Sequence, residues 1–84
     1  MTAITVSEAR QASPNAGVKR VVIRTDAAAA TGYTYDASLQ GFTTLWSVYV
    51  NDDTGVVKTA TWSSLVVTLG TISTGVHTLV LEGI

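Results

Sequence analysis

Side chains able to do chemistry are few in these 84 residues, and their spacing limits what each can do. His77 is the single histidine. A general base or a metal ligand needs an acidic or metal-binding neighbour, and the nearest acid in sequence is Glu82, five positions on. The pattern therefore reads as a structural or surface histidine. Serine, histidine and aspartate all occur, but none sits in a strand–turn–helix elbow of the kind that exposes a nucleophile. Asp52 and Asp53 are adjacent, as in a cation-binding loop. A calcium loop, however, spaces its oxygen ligands over about a dozen residues and closes with a bidentate glutamate, which this stretch lacks. The pair reads as a solvated turn. Six acids scattered over turns and strand ends give no convergent carboxylate pair for glycoside hydrolysis. The seven glycines never fall in a phosphate-cradling pattern. The chain is read as a non-enzyme with no catalytic residue, no metal site and no cofactor.

The aromatic residues offer a different kind of chemistry. Tyr33, Tyr35 and Trp62 could present a stacking platform for a sugar or a base. On a strand face such residues more often form cross-strand packing pairs or anchor a protein interface.

The elements that would carry these residues are strands. Val, Ile and Thr make up 30 of the 84 residues, and their stiff, branched side chains suit a pleated surface better than a helix. Turn residues recur at short intervals. Residues 1–17 stand apart as an N-terminal arm with a short strand, ending in the turn signal Ser13-Pro14-Asn15-Ala16-Gly17. Within it, Val6–Ala12 fits one helical turn capped by Ser7 or a strand continuing from Ile4. Residues 18–84 form the domain proper. Val18 to Thr25 is a strand with Val21 and Ile23 on one face and Arg20, Val22 and Arg24 on the other. The four alanines at 27–30 are too short a run to hold a helix alone and read as a loop or a small-residue strand edge. Tyr33 to Ser38 follows as a strand with both tyrosines on one face. Thr44 to Val50 places Trp46, Val48 and Val50 on one face and Leu45, Ser47 and Tyr49 on the other. Asn51–Gly55 closes a hairpin whose return strand is Val56–Trp62. Ser63-Ser64 reverses the chain into Leu65–Leu69, and Val76–Glu82 ends it. The expected fold is all-β, a small antiparallel sandwich or barrel with a four-strand C-terminal meander.

Composition then points outward. Only 13% of residues are charged, about half the ~25% typical of soluble domains. The net charge is −1, and five basic residues are too sparse a footprint for nucleic acid. No apolar run approaches the ~20 residues of a membrane span, and the first residues lack the pattern of a signal peptide. A chain this short buries only ~60% of its unfolded surface, and without cysteine it has no disulfide to compensate. Association is the remaining device. Leu79-Val80-Leu81, Val48-Tyr49-Val50 and Leu65-Val66-Val67 are apolar on both strand faces, where an antiparallel sandwich should have one wet face. The second face or an exposed edge is expected to meet another copy or a partner. Candidates for that contact are Tyr33, Tyr35, Tyr49, Leu79 and Leu81.

The runs Val21–Asp26, Thr31–Asp36, Thr44–Val50, Lys58–Ser63 and Val67–Thr78 together resemble small structural proteins of tailed bacteriophages, namely capsid decoration or cement proteins and related head components. The resemblance spans about residues 18–84 and carries no catalytic or ligand motif. It implies a β-sandwich virion protein, made in the host cytoplasm, that binds the major capsid protein, associates with itself (trimers favoured) and stabilises the shell. The alternative is a carbohydrate- or receptor-binding β-sandwich from a tail or cell surface, recognising its ligand through Tyr33, Tyr35 or Trp62.

Overall fold

The branched residues fall in short runs whose alternate side chains turn inward, and the chain folds accordingly into strands. The computed structural model describes residues 2–11 and 17–84. Within them lie eight strands: β1 (Val6–Gln11), β2 (Lys19–Thr25), β3 (Thr34–Asp36), β4 (Leu45–Asp52), β5 (Val57–Lys58), β6 (Ala60–Ser63), β7 (Val66–Leu69) and β8 (His77–Gly83). All strand pairs are antiparallel. A five-stranded sheet has the order β1-β2-β8-β4-β5, and a three-stranded sheet the order β3-β7-β6. Two sheets face each other over one core, so the fold is a small antiparallel β-sandwich.

The core comes from the inward positions of both sheets. Val21 and Ile23 of β2, Val50 of β4, Leu79 and Leu81 of β8, and Val67 and Leu69 of β7 are all fully or almost fully buried. Phe42, Ala37 and Ile4 fill the margins. The alternation expected in β2 is present: Arg20 and Arg24 are exposed opposite the buried valine and isoleucine.

Four features depart from strict alternation. The strand expected from Tyr33 to Ser38 stops at Asp36. There the Asp36 carboxylate accepts the Ser38 N–H at 3.0 Å and starts a single 3-10 turn, Ala37–Gln40, which Gly41 ends in the left-handed region at φ 81°. Such a short polar cap gives the backbone a local alternative to the ladder. In β4 the register slips between Leu45 and Ser47: Leu45 pairs Gly83, Ser47 pairs Glu82, and Trp46 is the extra residue. This bulge reverses the expected facing at the start of the strand. Leu45 is buried in the core and Trp46 is exposed, while Val48 and Val50 stay inward.

The return strand expected at Val56–Trp62 breaks at Thr59. β5 pairs with β4 in one sheet, and β6 pairs with β7 in the other. At the break the Thr59 carbonyl accepts the Gly70 N–H at 2.8 Å. A Cβ on Gly70 would stand 2.8 Å from that same oxygen, so only glycine allows the approach. Finally, the expected C-terminal meander is divided between the sheets. β4–β5 and β6–β7 are hairpins, but β8 does not return beside β7. It inserts between β2 and β4.

At the N-terminal side the expected short strand is a strand of the sandwich. Ile4 donates its N–H to the Thr34 carbonyl at 2.8 Å, and Thr34 donates to the Thr2 carbonyl at 2.9 Å. Residues 2–4 thus run along the edge of β3 before β1 joins β2. The Ser7 hydroxyl, at a second bulge, donates to the carbonyls of Arg24 and Thr25. Of the turn signal at 13–17 only Gly17 belongs to the described residues.

Two substitutions test this packing. Gly83 lies where a Cβ would collide with the Thr44 carbonyl beside the β4 bulge. Gly83→Ala is expected to cost about 1–3 kcal/mol, read as a lower urea midpoint. Leu81 is fully buried, so Leu81→Asp places an unpaired charge in the core. It is expected to abolish the folded circular-dichroism signal altogether rather than leave a folded monomer that fails to assemble.

Candidate functional site

The two faces of the sandwich differ in what they offer a partner. On the three-stranded sheet, Thr34, Thr68 and Thr61 form one outward row, with Asp36, Val66 and Ser63 in the next. That face is mostly polar. The five-stranded sheet has an apolar centre. Cross-strand register sets Val22 opposite Val80 and Val80 opposite Tyr49. Val22 and Val80 are half-buried, and Tyr49 is 59% exposed. Val57, at 76% exposure, stands on the same face opposite Asn51.

Ion pairs flank this row on both sides. Arg20 donates through Nε at 3.2 Å and Nη2 at 2.7 Å to one Glu82 oxygen, and Ser47 donates to the other at 3.3 Å. The Arg20 hydrogen bond, ahead of its charge and the Ser47 hydroxyl, holds the Glu82 carboxyl below its usual value. On the other flank Arg24 reaches over β8 to Asp53 at 2.6 Å, in the turn after β4. An apolar centre with a charged, hydrogen-bonded rim is the usual anatomy of a protein–protein patch.

A concave feature lies where residues 2–6 pass from one sheet to the other. This open cleft of about 720 Å³ is lined chiefly by Ile4, Val6, Tyr35, Leu39 and Val66, with Gln40 at its margin. The Tyr35 hydroxyl accepts the Gln40 amide at 3.0 Å, which ties the ring into the cleft wall. Leu39 is 73% exposed.

The residues singled out from sequence divide cleanly. Tyr49 is on the exposed row. Leu79 and Leu81 are not surface residues: they point inward from the central strand and are fully buried. Tyr35 is buried on the inner face, in one row with Val67 and Trp62, and Tyr33 is half-buried against the core. Tyr33, Tyr35 and Trp62 therefore make no common exposed platform. Trp62 sits across the sheet from β3, at the opposite edge.

His77 is buried at the start of β8. Its N–H donates to the Thr25 hydroxyl at 2.9 Å, and Nδ1 lies 2.9 Å from the Gly75 carbonyl. A carbonyl only accepts, so Nδ1 carries the proton, and the buried Nε2 has no hydrogen-bond partner among the described residues. These contacts tie the β7–β8 connection to the sheet. Among the described residues no three metal-ligating side chains gather, and no helix is long and apolar enough to cross a membrane.

Sequence reasoning placed Val22 on one face with Arg20 and Arg24 but did not join it to Val80 and Tyr49, because that row exists only once β8 lies between β2 and β4. The cleft was missed entirely. Its only local signal was the isolated Leu39 between Ser38 and Gln40. No family model matches the chain, and neither a curated protein nor a solved structure matches it. Fold and surface together define the class: a small two-sheet β-sandwich whose larger sheet has an apolar centre on its outer face.

The turn that holds Asp53 is organised by its neighbour. The Asp52 carboxylate accepts the Thr54 hydroxyl at 2.8 Å and the N–H groups of Thr54 and Val56 at 2.9 Å each, with Lys58 at 3.6 Å. The Thr54 hydroxyl first, then the backbone donors and Lys58, lower its pKa from 3.8 to about 2. The folded state thus binds this proton less readily than the unfolded chain. The contribution is fully present above the unfolded value and is lost as pH falls through about 2. Asp52→Asn is expected to lower the urea midpoint at neutral pH. The gap from the parent should close as pH drops from about 4 toward 2, and a gap independent of pH would contradict this account.

Proposed function

We propose that the chain is a non-enzymatic structural module that adheres to protein subunits through the outer face of its five-stranded sheet. The observation that carries the reading is the Val22–Val80–Tyr49 row, with Val57 beside it, flanked by the Arg20–Glu82 and Arg24–Asp53 pairs. Tyrosine at the centre of such a patch supplies a large contact area at small entropic cost and is a frequent interface anchor. The side chains are held by a rigid sheet and their charged neighbours are already paired. Binding therefore orders little and strands no charge.

The partner we propose is the major capsid protein of a tailed bacteriophage, with the chain acting as a decoration or cement protein in the virion. Support comes from the sequence resemblance together with an apolar row on the outer sheet face that leaves Tyr49 exposed. A lectin-like reading draws less support. Tyr35 is buried, Tyr33, Tyr35 and Trp62 share no exposed platform, and the cleft beside Tyr35 sets Thr34, Asp36 and Gln40 among aliphatic side chains.

Co-sedimentation with capsids of the encoding phage tests the proposal. The parent chain is expected to saturate a fixed number of lattice sites. Tyr49→Asp should reduce occupancy about tenfold or more, because the carboxylate must be desolvated at the centre of the patch. Its melting curve should stay unchanged. A parent chain that ignores capsids rejects the phage partner, and a Tyr49→Asp chain that binds normally rejects the sheet face.

A further inference from the structure

The outer edge of β1 is where the sandwich could grow. Four strands lie at sheet edges: β1, β5, β3 and β6. β5 has only two residues. The free side of β3 is occupied by residues 2–4, through the Ile4 and Thr34 hydrogen bonds. β6 has four residues and no charge to specify a partner. β1 is the longest, with six residues, and after Val6 every one of them is exposed.

Its sequence is self-complementary. Glu8 and Arg10 face outward with Arg24 and Val22, on the side of the adhesive row. They pair within the strand at 2.6 Å while both remain well exposed. Between them stands Ala9, the smallest side chain of the strand, on the other face opposite Ile23. If a second β1 approaches antiparallel with Ala9 opposite Ala9, then Glu8 faces Arg10 of the second copy, and Arg10 faces its Glu8. Ser7 then falls opposite Gln11. Directly opposed residues in an antiparallel pair stand about 5 Å apart, close enough for charges to attract or repel. The two ion pairs would join the two intrastrand pairs into one four-charge cluster, and nothing bulky lies on the twofold axis. Edges guarded against pairing often carry charged side chains, especially lysine. β1 carries one charge of each sign, in the order that antiparallel self-pairing satisfies.

We infer that the chain forms a twofold dimer by β1–β1 pairing, a continuous ten-stranded sheet whose register is set by reciprocal Glu8–Arg10 contacts. A second copy of this chain is the occupant because only an antiparallel copy of β1 is certain to offer arginine opposite Glu8 and glutamate opposite Arg10. The inference is independent of which partner the outer face binds. If both hold, the dimer presents two Val22–Val80–Tyr49 rows on one surface, separated by the charged seam.

Sedimentation velocity of the full chain at low salt, over a wide concentration range, tests it. The parent is expected to form a dimer. Glu8→Arg alone, and Arg10→Glu alone, each set like charges opposite one another twice across the axis and should weaken the dimer about tenfold or more. The double exchange Glu8→Arg with Arg10→Glu restores opposite charges and should restore the dimer. Glu8 also stands opposite Arg24 within the monomer, so the two variants carrying Glu8→Arg should melt slightly below the parent at concentrations where it is monomeric, while Arg10→Glu, opposite Val22, should melt close to it. A strictly monomeric parent, a trimer indifferent to these reversals, or a double exchange that does not recover association would each overturn the assignment. Capsid binding by a monomer would leave the proposed function standing while removing this one.

Discussion

Everything in the molecule is arranged around the pairing of β8 with β2 on one side and β4 on the other. This last strand is the middle of the large sheet, and each of its inward residues, His77, Leu79, Leu81 and Gly83, is buried. Burying a leucine side chain contributes about 1.5–3 kcal/mol, and in a chain this short few residues can do so. No disulfide shares the task. The same strand sets the outer face. Val80 lies between Val22 and Tyr49, so the apolar row is assembled by the strand that arrives last in the sequence.

That dependence explains what was legible in the sequence. Local features were: strand character from the branched residues, the opposite faces of Val21 and Val22, the hairpin at Asn51–Gly55 and the absence of any helical period. Features that depend on distant pairing were not. Leu79 and Leu81 looked like a surplus of apolar surface because two-sided apolarity cannot reveal which side is inward. Once Val80 is known to face out, the leucines on either side of it must face in. The Trp46 bulge was equally hidden. Its cause is the close approach of Gly83 to Thr44, residues 39 positions apart. The break at Thr59 depends likewise on Gly70.

The candidate surface follows the same division. Tyr49 was visible as an outward aromatic, but its apolar neighbours come from two other strands. The ion pairs that border the row, Arg20 with Glu82 and Arg24 with Asp53, join residues 62 and 29 positions apart. No motif announces them. Their effect is physical: they neutralise the rim and leave the valines and tyrosine as the part of the face that water covers least favourably. The sequence left His77 as either a structural or a surface residue; its burial and its contact with the Gly75 carbonyl needed the fold.

The strand switches at the two sides of the sandwich have a mechanical consequence. Residues 2–11 bond first to β3 and then to β2, and residues 57–63 first to β4 and then to β7. Each side of the molecule is thus stitched by a covalent thread belonging to both layers. Prying the layers apart must tear hydrogen bonds in both at once, so neither sheet can peel away while the other stays whole. A body built like this resists being pulled open from either flank, and it surrenders its order in a single event.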